Sequence, residues 1–149
     1  MISRKAPLSA DDVVYLADCL SSKETLDKYQ ISVLYDVEAY LHTLERVKTM
    51  EAKLFIPAHV PATEKIGPLA QENIDKVLEI GERIEEICRE PLPFELILQK
   101  LFTFYDLKMN FEQYVLVGST VRSYLSWLKD QGRLEALFED NLLLWKRQM

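Results

Sequence analysis

A mixed α/β (α+β) fold is predicted by three features of the 149-residue sequence. Two short apolar runs flank an amphipathic helical pattern within the first sixty residues. Three further helical patterns come next, the first of them over twenty residues long. The C-terminus then carries two apolar runs separated by a turn signal. Strand, helix and strand in that order form a βαβ unit, whose strands run parallel with a right-handed crossover.

Taken in order, Val13-Val14-Tyr15-Leu16-Ala17 is β-branched and aromatic, and it comes after the turn-like Ser9-Ala10-Asp11-Asp12, so it reads as a strand. Ser21 to Gln30 is polar and reads as a mobile connection. A helix fits Asp36 to about Met50, because Val37, Tyr40, Leu41, Leu44 and Val47 recur at three and four and Asp36 suits the N-cap. Leu54-Phe55-Ile56 is a second short strand, closed by Pro57. Both strands read as apolar on both faces, which calls for covering layers on each side. A long helix then runs from about Pro68 to Arg89. Ile74, Val77, Leu78, Gly81, Ile84 and Cys88 form one face, and Glu79, Glu82, Glu85 and Glu86 read as its solvated side. Phe94 to Phe104 and Phe111 to Gln131 are helical in period, and Gly132 stops the second. Leu134 to Phe138 and Leu142 to Trp145 flank Glu139-Asp140-Asn141, a hairpin signal. Helices leading into a hairpin describe a small winged-helix-like unit.

Composition narrows the function. Lys and Arg number 18 against 24 Asp and Glu, giving a formal charge of −6, and 48% of residues are hydrophobic. The acidic balance disfavours nucleic acid as a partner. No apolar run approaches the roughly 20 residues that span a bilayer, and no apolar stretch succeeds the two N-terminal positive charges as a secretory signal requires. Two isolated thiols, Cys19 and Cys88, suit a reducing cytoplasm. The charge is uneven: residues 1–91 hold 17 acidic and 11 basic side chains, a balance of −6, whereas residues 92–149 hold seven of each. Pro91-Leu92-Pro93 marks a boundary between them.

Because the two strands run parallel, the loops leaving their carboxyl ends emerge at the same sheet edge. Those loops carry Asp18 and His59. Open α/β sheets place ligands at the carboxyl ends of their strands, and a carboxylate with an imidazole can share a divalent metal or form an acid–base pair. Taken singly, an Asp after a strand is also a common turn residue and a His in such a loop a common structural one.

Leu16-Ala17-Asp18-Cys19-Leu20, the helix from Tyr35-Asp36-Val37-Glu38-Ala39-Tyr40-Leu41, and Phe55-Ile56-Pro57-Ala58-His59-Val60-Pro61 together resemble the C-terminal half of a metallo-beta-lactamase-fold hydrolase. In that superfamily an aspartate in a Leu-Gly-Asp-like motif bridges two metal ions, and a later His in a Pro-Gly-His-Gly-like motif completes the shell of one. The resemblance implies these roles for Asp18 and His59, with zinc or another divalent ion as cofactor in the intact parent. It implies residues 1–67 as the C-terminal part of the hydrolase domain, 68–91 as a connecting helix and 92–149 as the winged-helix-like unit. Ala17, Ala58 and Val60 stand where the pattern has glycine. The family's His-x-His-x-Asp-His motif precedes the aspartate; here 17 residues precede Asp18 and none is His. The other imidazole, His42, lies on the helix near Leu41 and Leu44 and reads as structural or superficial.

A hydrolytic zinc site takes about three protein ligands plus water. The expectation is therefore a C-terminal fragment of a metal-dependent hydrolase, inactive alone, whose parent acts on an ester, thioester or phosphoester. Open strand edges predict self-association or pairing with the missing N-terminal half. The alternative is a non-catalytic interaction or oligomerisation module built on the tail. DNA binding is disfavoured there, because Arg122 and Lys129 on the Phe111–Gln131 helix are offset by Glu112 and Asp130. Cys19, beside Asp18, reads as a small buried residue rather than a reactive thiol.

Overall fold

The computed structural model describes residues 2–4 and 12–149; the expected turn over residues 9–12 lies largely outside the described residues. The chain forms two compact units, Met1–Lys28 with Glu38–Val77, and Tyr29–Val37 with Leu78–Met149.

The first unit is built on a three-stranded sheet of β1 (Ile2–Arg4), β2 (Val13–Leu16) and β3 (Leu54–Pro57), in that spatial order. β2 and β3 pair in parallel, Val13 to Leu54 through Leu16 to Pro57, as the βαβ pattern predicts. β1 adds an antiparallel edge strand that the sequence does not predict. Between β2 and β3 come α1 (Lys23–Tyr29) and α2 (Val37–Lys48). The polar stretch expected to be a mobile connection is thus helical over seven residues. Ser22 caps it, its Oγ accepting from the Thr25 N–H at 3.1 Å, and Leu26 anchors it to the interior. One buried apolar side chain in two turns is too faint a period to detect.

Val14, Leu16 and Phe55 point to one sheet face and pack with Leu44 and Val47 of α2, Ile66, and Ala70 and Ile74 of α3 (Gly67–Ile87). Full burial of each large aliphatic or aromatic side chain there stabilises by about 1.5–3 kcal/mol. The opposite face differs from expectation. Val13, Leu54 and Ile56 are half-buried and Tyr15 is 41% exposed, so the described residues cover one face and leave the other part-open.

In the second unit, α4 (Phe94–Phe104) and α5 (Phe111–Asp130) precede a hairpin of β4 (Leu134–Glu139) and β5 (Leu142–Arg147). The core joins Ile80 and Ile84 of α3 to Ile97 and Leu101 of α4 and to Val121, Tyr124, Leu125 and Leu128 of α5. Asn110 caps α5 by accepting from the Gln113 N–H at 2.8 Å. Asp140 and Asn141 both have positive φ, as a two-residue turn matched to the twist of the hairpin requires. Leu92 exchanges backbone hydrogen bonds with Trp145 at 3.0 and 2.9 Å, extending the hairpin on its β5 side.

The acidic side of α3 is not a uniformly wet face. Glu85 is half-buried and accepts from Nε and Nη2 of Arg133 at 2.9 and 2.6 Å, with Arg147 3.5 Å away. Glu79 accepts from the Tyr105 hydroxyl at 3.0 Å. The acidic run, expected to be solvated charge, therefore holds the tail to the second half of α3. No helix among the described residues is long and apolar enough to cross a membrane.

Candidate functional site

Asp18 and His59 meet. His59 Nε2 lies 2.8 Å from Asp18 Oδ1, and both side chains are largely exposed, at 75% and 80%. The meeting arises from the parallel pairing of β2 and β3, which brings the residues after Leu16 and Pro57 to one sheet edge. Beyond the strands the alignment continues, because the Ala58 N–H donates to the Ala17 carbonyl at 3.3 Å. The loop bearing His59 is closed behind it: Phe55 and Thr63 exchange backbone hydrogen bonds at 2.8 and 3.0 Å. An exposed imidazole is thereby carried on a segment fixed at both ends.

The loop bearing Asp18 is fixed from beneath. Cys19 and Leu20 are buried directly after it. The Tyr40 hydroxyl, from α2, donates to the Cys19 carbonyl at 2.9 Å. Asn73, from α3 and 2% exposed, grips Ser21 on both backbone groups. Its Oδ1 accepts from the Ser21 N–H at 2.9 Å, and its Nδ2 donates to the Ser21 carbonyl at 2.9 Å. The same Nδ2 donates to the Leu69 carbonyl at 2.9 Å, which orients the amide along its own helix. Burial pushes the Tyr40 phenol up to about 12, and it pushes the Cys19 thiol up as well. Cys19 is 5% exposed, and its burial favours the thiol over the thiolate, which is the reactive form.

In the sequence Tyr40 stands as one apolar position on α2, and Asn73 draws no expectation. A signal is present for the second. Ala70, Asn73 and Val77 share one helix stripe, and a polar side chain on an apolar stripe must find partners. For Tyr40, nothing in the spacing distinguishes a hydroxyl that reaches a loop carbonyl from one that reaches water. His42 is exposed on α2 and takes no part in the pair.

The donor types suit a divalent ion such as zinc, which accepts imidazole nitrogen and carboxylate oxygen at about 2.0–2.2 Å. Two donors on one tetrahedral ion stand roughly 3.3 Å apart, so the 2.8 Å pair needs to open by only about half an ångström. The number of donors falls short, however. Among the described residues, no group of three or more His, Cys, Asp or Glu side chains is placed to hold a metal ion.

Two solved structures share this architecture. A metallo-beta-lactamase family protein from Thermus thermophilus superposes with a TM-score of 0.66 at 14% identity, over 91% of this chain and 42% of its own. A beta-lactamase domain protein from Burkholderia ambifaria gives a TM-score of 0.65 at 18% identity, over 91% of this chain and 40% of its own. The chain has the fold of part of a metallo-beta-lactamase protein, consistent with the C-terminal portion, and spans about two-fifths of the length of these neighbours. No protein-family profile matches the sequence, and no curated protein does.

Proposed function

We propose that this chain is the C-terminal part of a metal-dependent hydrolase, in which Asp18 would help hold both metal ions and His59 one of them. The observation that carries the reading is the Asp18–His59 pair, 2.8 Å apart at the carboxyl ends of adjacent parallel strands in this fold. Zinc or another divalent ion held there would supply a water of lowered pKa as nucleophile toward an ester, thioester or phosphoester. The chain's own residues hold and orient: the Tyr40 and Asn73 contacts fix the loop of Asp18, and the Phe55–Thr63 bridge fixes that of His59. Two donors do not complete a hydrolytic shell, so the remaining ligands come from the N-terminal half of such a domain, outside these 149 residues, and this chain is inactive alone. The part-open sheet face of Val13, Tyr15, Leu54 and Ile56 supports that reading, because a second layer would cover it. In the same reading residues 1–67 belong to the hydrolase domain, 68–91 connect, and 92–149 form an appended winged-helix-like unit. The location is the cytoplasm, and open strands of the first unit allow self-association.

Zinc titration monitored through the imidazole proton resonances tests the site. Zinc is expected to shift the His59 signals at lower concentration than those of His42, and Asp18→Asn is expected to abolish the difference. Equal responses from the two histidines, or a His59 response unchanged by Asp18→Asn, would refute the assignment. Reading the coding DNA upstream of Met1 tests the parentage: an in-frame His-x-His-x-Asp-His motif supports it. A second reading, an interaction module built on the tail, is favoured by one observation: Phe111, Val115 and Leu116 of α5 stand in solvent.

A further inference from the structure

The apolar surface of α4 and the start of α5 has both parts of a self-complementary joint. Leu96, Leu98, Phe102, Leu107, Met109 and Tyr114 line an open groove of about 490 Å³. Beside it, at the first position of α5, Phe111 is 81% exposed. A phenyl ring is far smaller than the groove, which also has room for a neighbouring aliphatic side chain. Val115 and Leu116, one turn further along, are about half exposed.

We infer that this face is a two-fold interface between copies of this chain, with Phe111 of each copy seated in the groove of the other. Knob and groove adjoin on one face, so a single rotation satisfies both at once and the assembly closes. Phe111, Tyr114, Val115, Leu116, Leu96 and Met109 together leave roughly 500 Å² of side chain in water, against about 800 Å² per partner in a stable interface. The apolar centre is thus more than half of what a dimer needs, and a polar rim supplies the rest.

Charge selects a second copy as the occupant. Residues 92–149 carry seven acidic and seven basic side chains, while the −6 of the chain resides in residues 1–91. The unit as a whole is acidic, at −4 with residues 29–37 and 78–91 included, but the groove lining itself carries one charge, Glu95, so two copies meeting there pile up little like charge. The rim is mixed in sign, with exposed Glu95 and Glu112 against exposed Lys100, Lys108 and Arg122. Glu95 is already positioned by the Tyr114 hydroxyl, which donates to its Oε1 at 2.5 Å. Arg122 lies over the Phe94 ring, 3.7 Å from its centroid. Both charges are held in place before a partner arrives, which lowers the ordering cost of association.

Sedimentation velocity on the full 149-residue chain, from micromolar to about 200 micromolar at physiological salt, tests the inference. The expected mass is twice 17.4 kDa. Phe111→Asp is expected to return it to 17.4 kDa with an unchanged circular dichroism spectrum, raising the dissociation constant by about 30-fold or more. Leu96→Glu, at the other side of the joint, should do the same, and it decides the matter if the Phe111 variant fails to fold. A monomer throughout the concentration range overturns the inference and leaves the face to some other partner. A dimer indifferent to both substitutions overturns it too, placing the contact elsewhere, such as the strand edges of the first unit. Open-ended growth with concentration overturns the two-fold arrangement. None of these results bears on zinc at Asp18 and His59, so the two proposals fail separately.

Discussion

Asn73 is the residue on which the shape of the Asp18 loop most depends, and Asn73→Ala makes that dependence measurable. The substitution removes three hydrogen bonds of 2.9 Å from a side chain that is 2% exposed. A neutral hydrogen bond contributes about 1 kcal/mol net, and a buried group left without a partner costs about 1–3 kcal/mol. Ser21 is only half-buried, so water recovers part of the loss on its side. The expected destabilisation is then about 2–3 kcal/mol, or a fall of roughly 5–10 °C in melting temperature for a chain of this size. Global unfolding alone would not locate the effect. Hydrogen exchange at the Ser21 amide and alkylation of Cys19 report the loop itself, and both are expected to accelerate by an order of magnitude or more. Asn73→Asp is the informative control: its carboxylate still accepts from the Ser21 N–H but cannot donate to the two carbonyls, and it buries a charge. It should be at least as damaging as alanine. Tyr40→Phe removes one hydrogen bond to the same loop and should cost about 1 kcal/mol, non-additively with Asn73→Ala. A cost below about 0.5 kcal/mol for Asn73→Ala, with Cys19 as protected as before, would show that the loop holds its shape without the clamp.

The second unit offers further tests. Glu85→Ala leaves Arg133 and Arg147 without their shared carboxylate and should destabilise by about 1–2 kcal/mol, read as a lower urea midpoint; an unchanged midpoint would reduce the cluster to decoration. A Cβ at Gly81 would stand 3.0 Å from the Trp127 ring. Gly81→Val should therefore cost about 1–3 kcal/mol despite removing a helix glycine, and stabilisation instead would mean that the ring gives way freely. Burial pushes the Cys88 thiol up from its ordinary 9.0 to about 12. The folded value lies above the unfolded one, so this stabilisation is complete below pH 9 and is lost as pH rises toward 12. The loss by about pH 11 is on the order of 2–3 kcal/mol, and Cys88→Ala should flatten the decline. A midpoint constant from about pH 8 to 11 would contradict the burial argument.

Most of the architecture was legible because the periods are long and the stops are strong. α4 matches its sequence reading at both ends, since Pro93 precedes it and an eleven-residue apolar pattern of helical period defines it. The parallel pairing of β2 and β3 was legible from connectivity alone, and with it the convergence of Asp18 and His59. The features that escaped were short or tertiary in origin. Three-residue β1 carries too few positions for a period, and α1 shows only Leu26 to the interior. Glu85 looks like its neighbours in sequence; it is set apart by Arg133, 48 residues away. Asn73 and Tyr40 gain their roles in the same way, from a loop 52 and 21 residues distant. Sequence spacing reports which face a residue occupies, not what arrives opposite it.

Residues Tyr29–Val37 belong to the second unit although they are threaded between two pieces of the first. Their attachment is specific: the Leu34 N–H donates to Thr120 Oγ1 at 3.0 Å, and the Ser123 hydroxyl donates to the Tyr35 carbonyl at 2.9 Å. During synthesis this segment leaves the ribosome 86 residues ahead of the side chain that receives it. At about 5–20 residues per second, it waits roughly 4–17 s for its docking site to be translated. The nascent chain thus carries an unanchored stretch between α1 and α2 throughout that interval. Nor can the molecule be divided by one cut, because the backbone passes between the units three times, after residues 28, 37 and 77. A gene truncated before the codon for Thr120 loses the partner of a segment encoded 86 codons earlier.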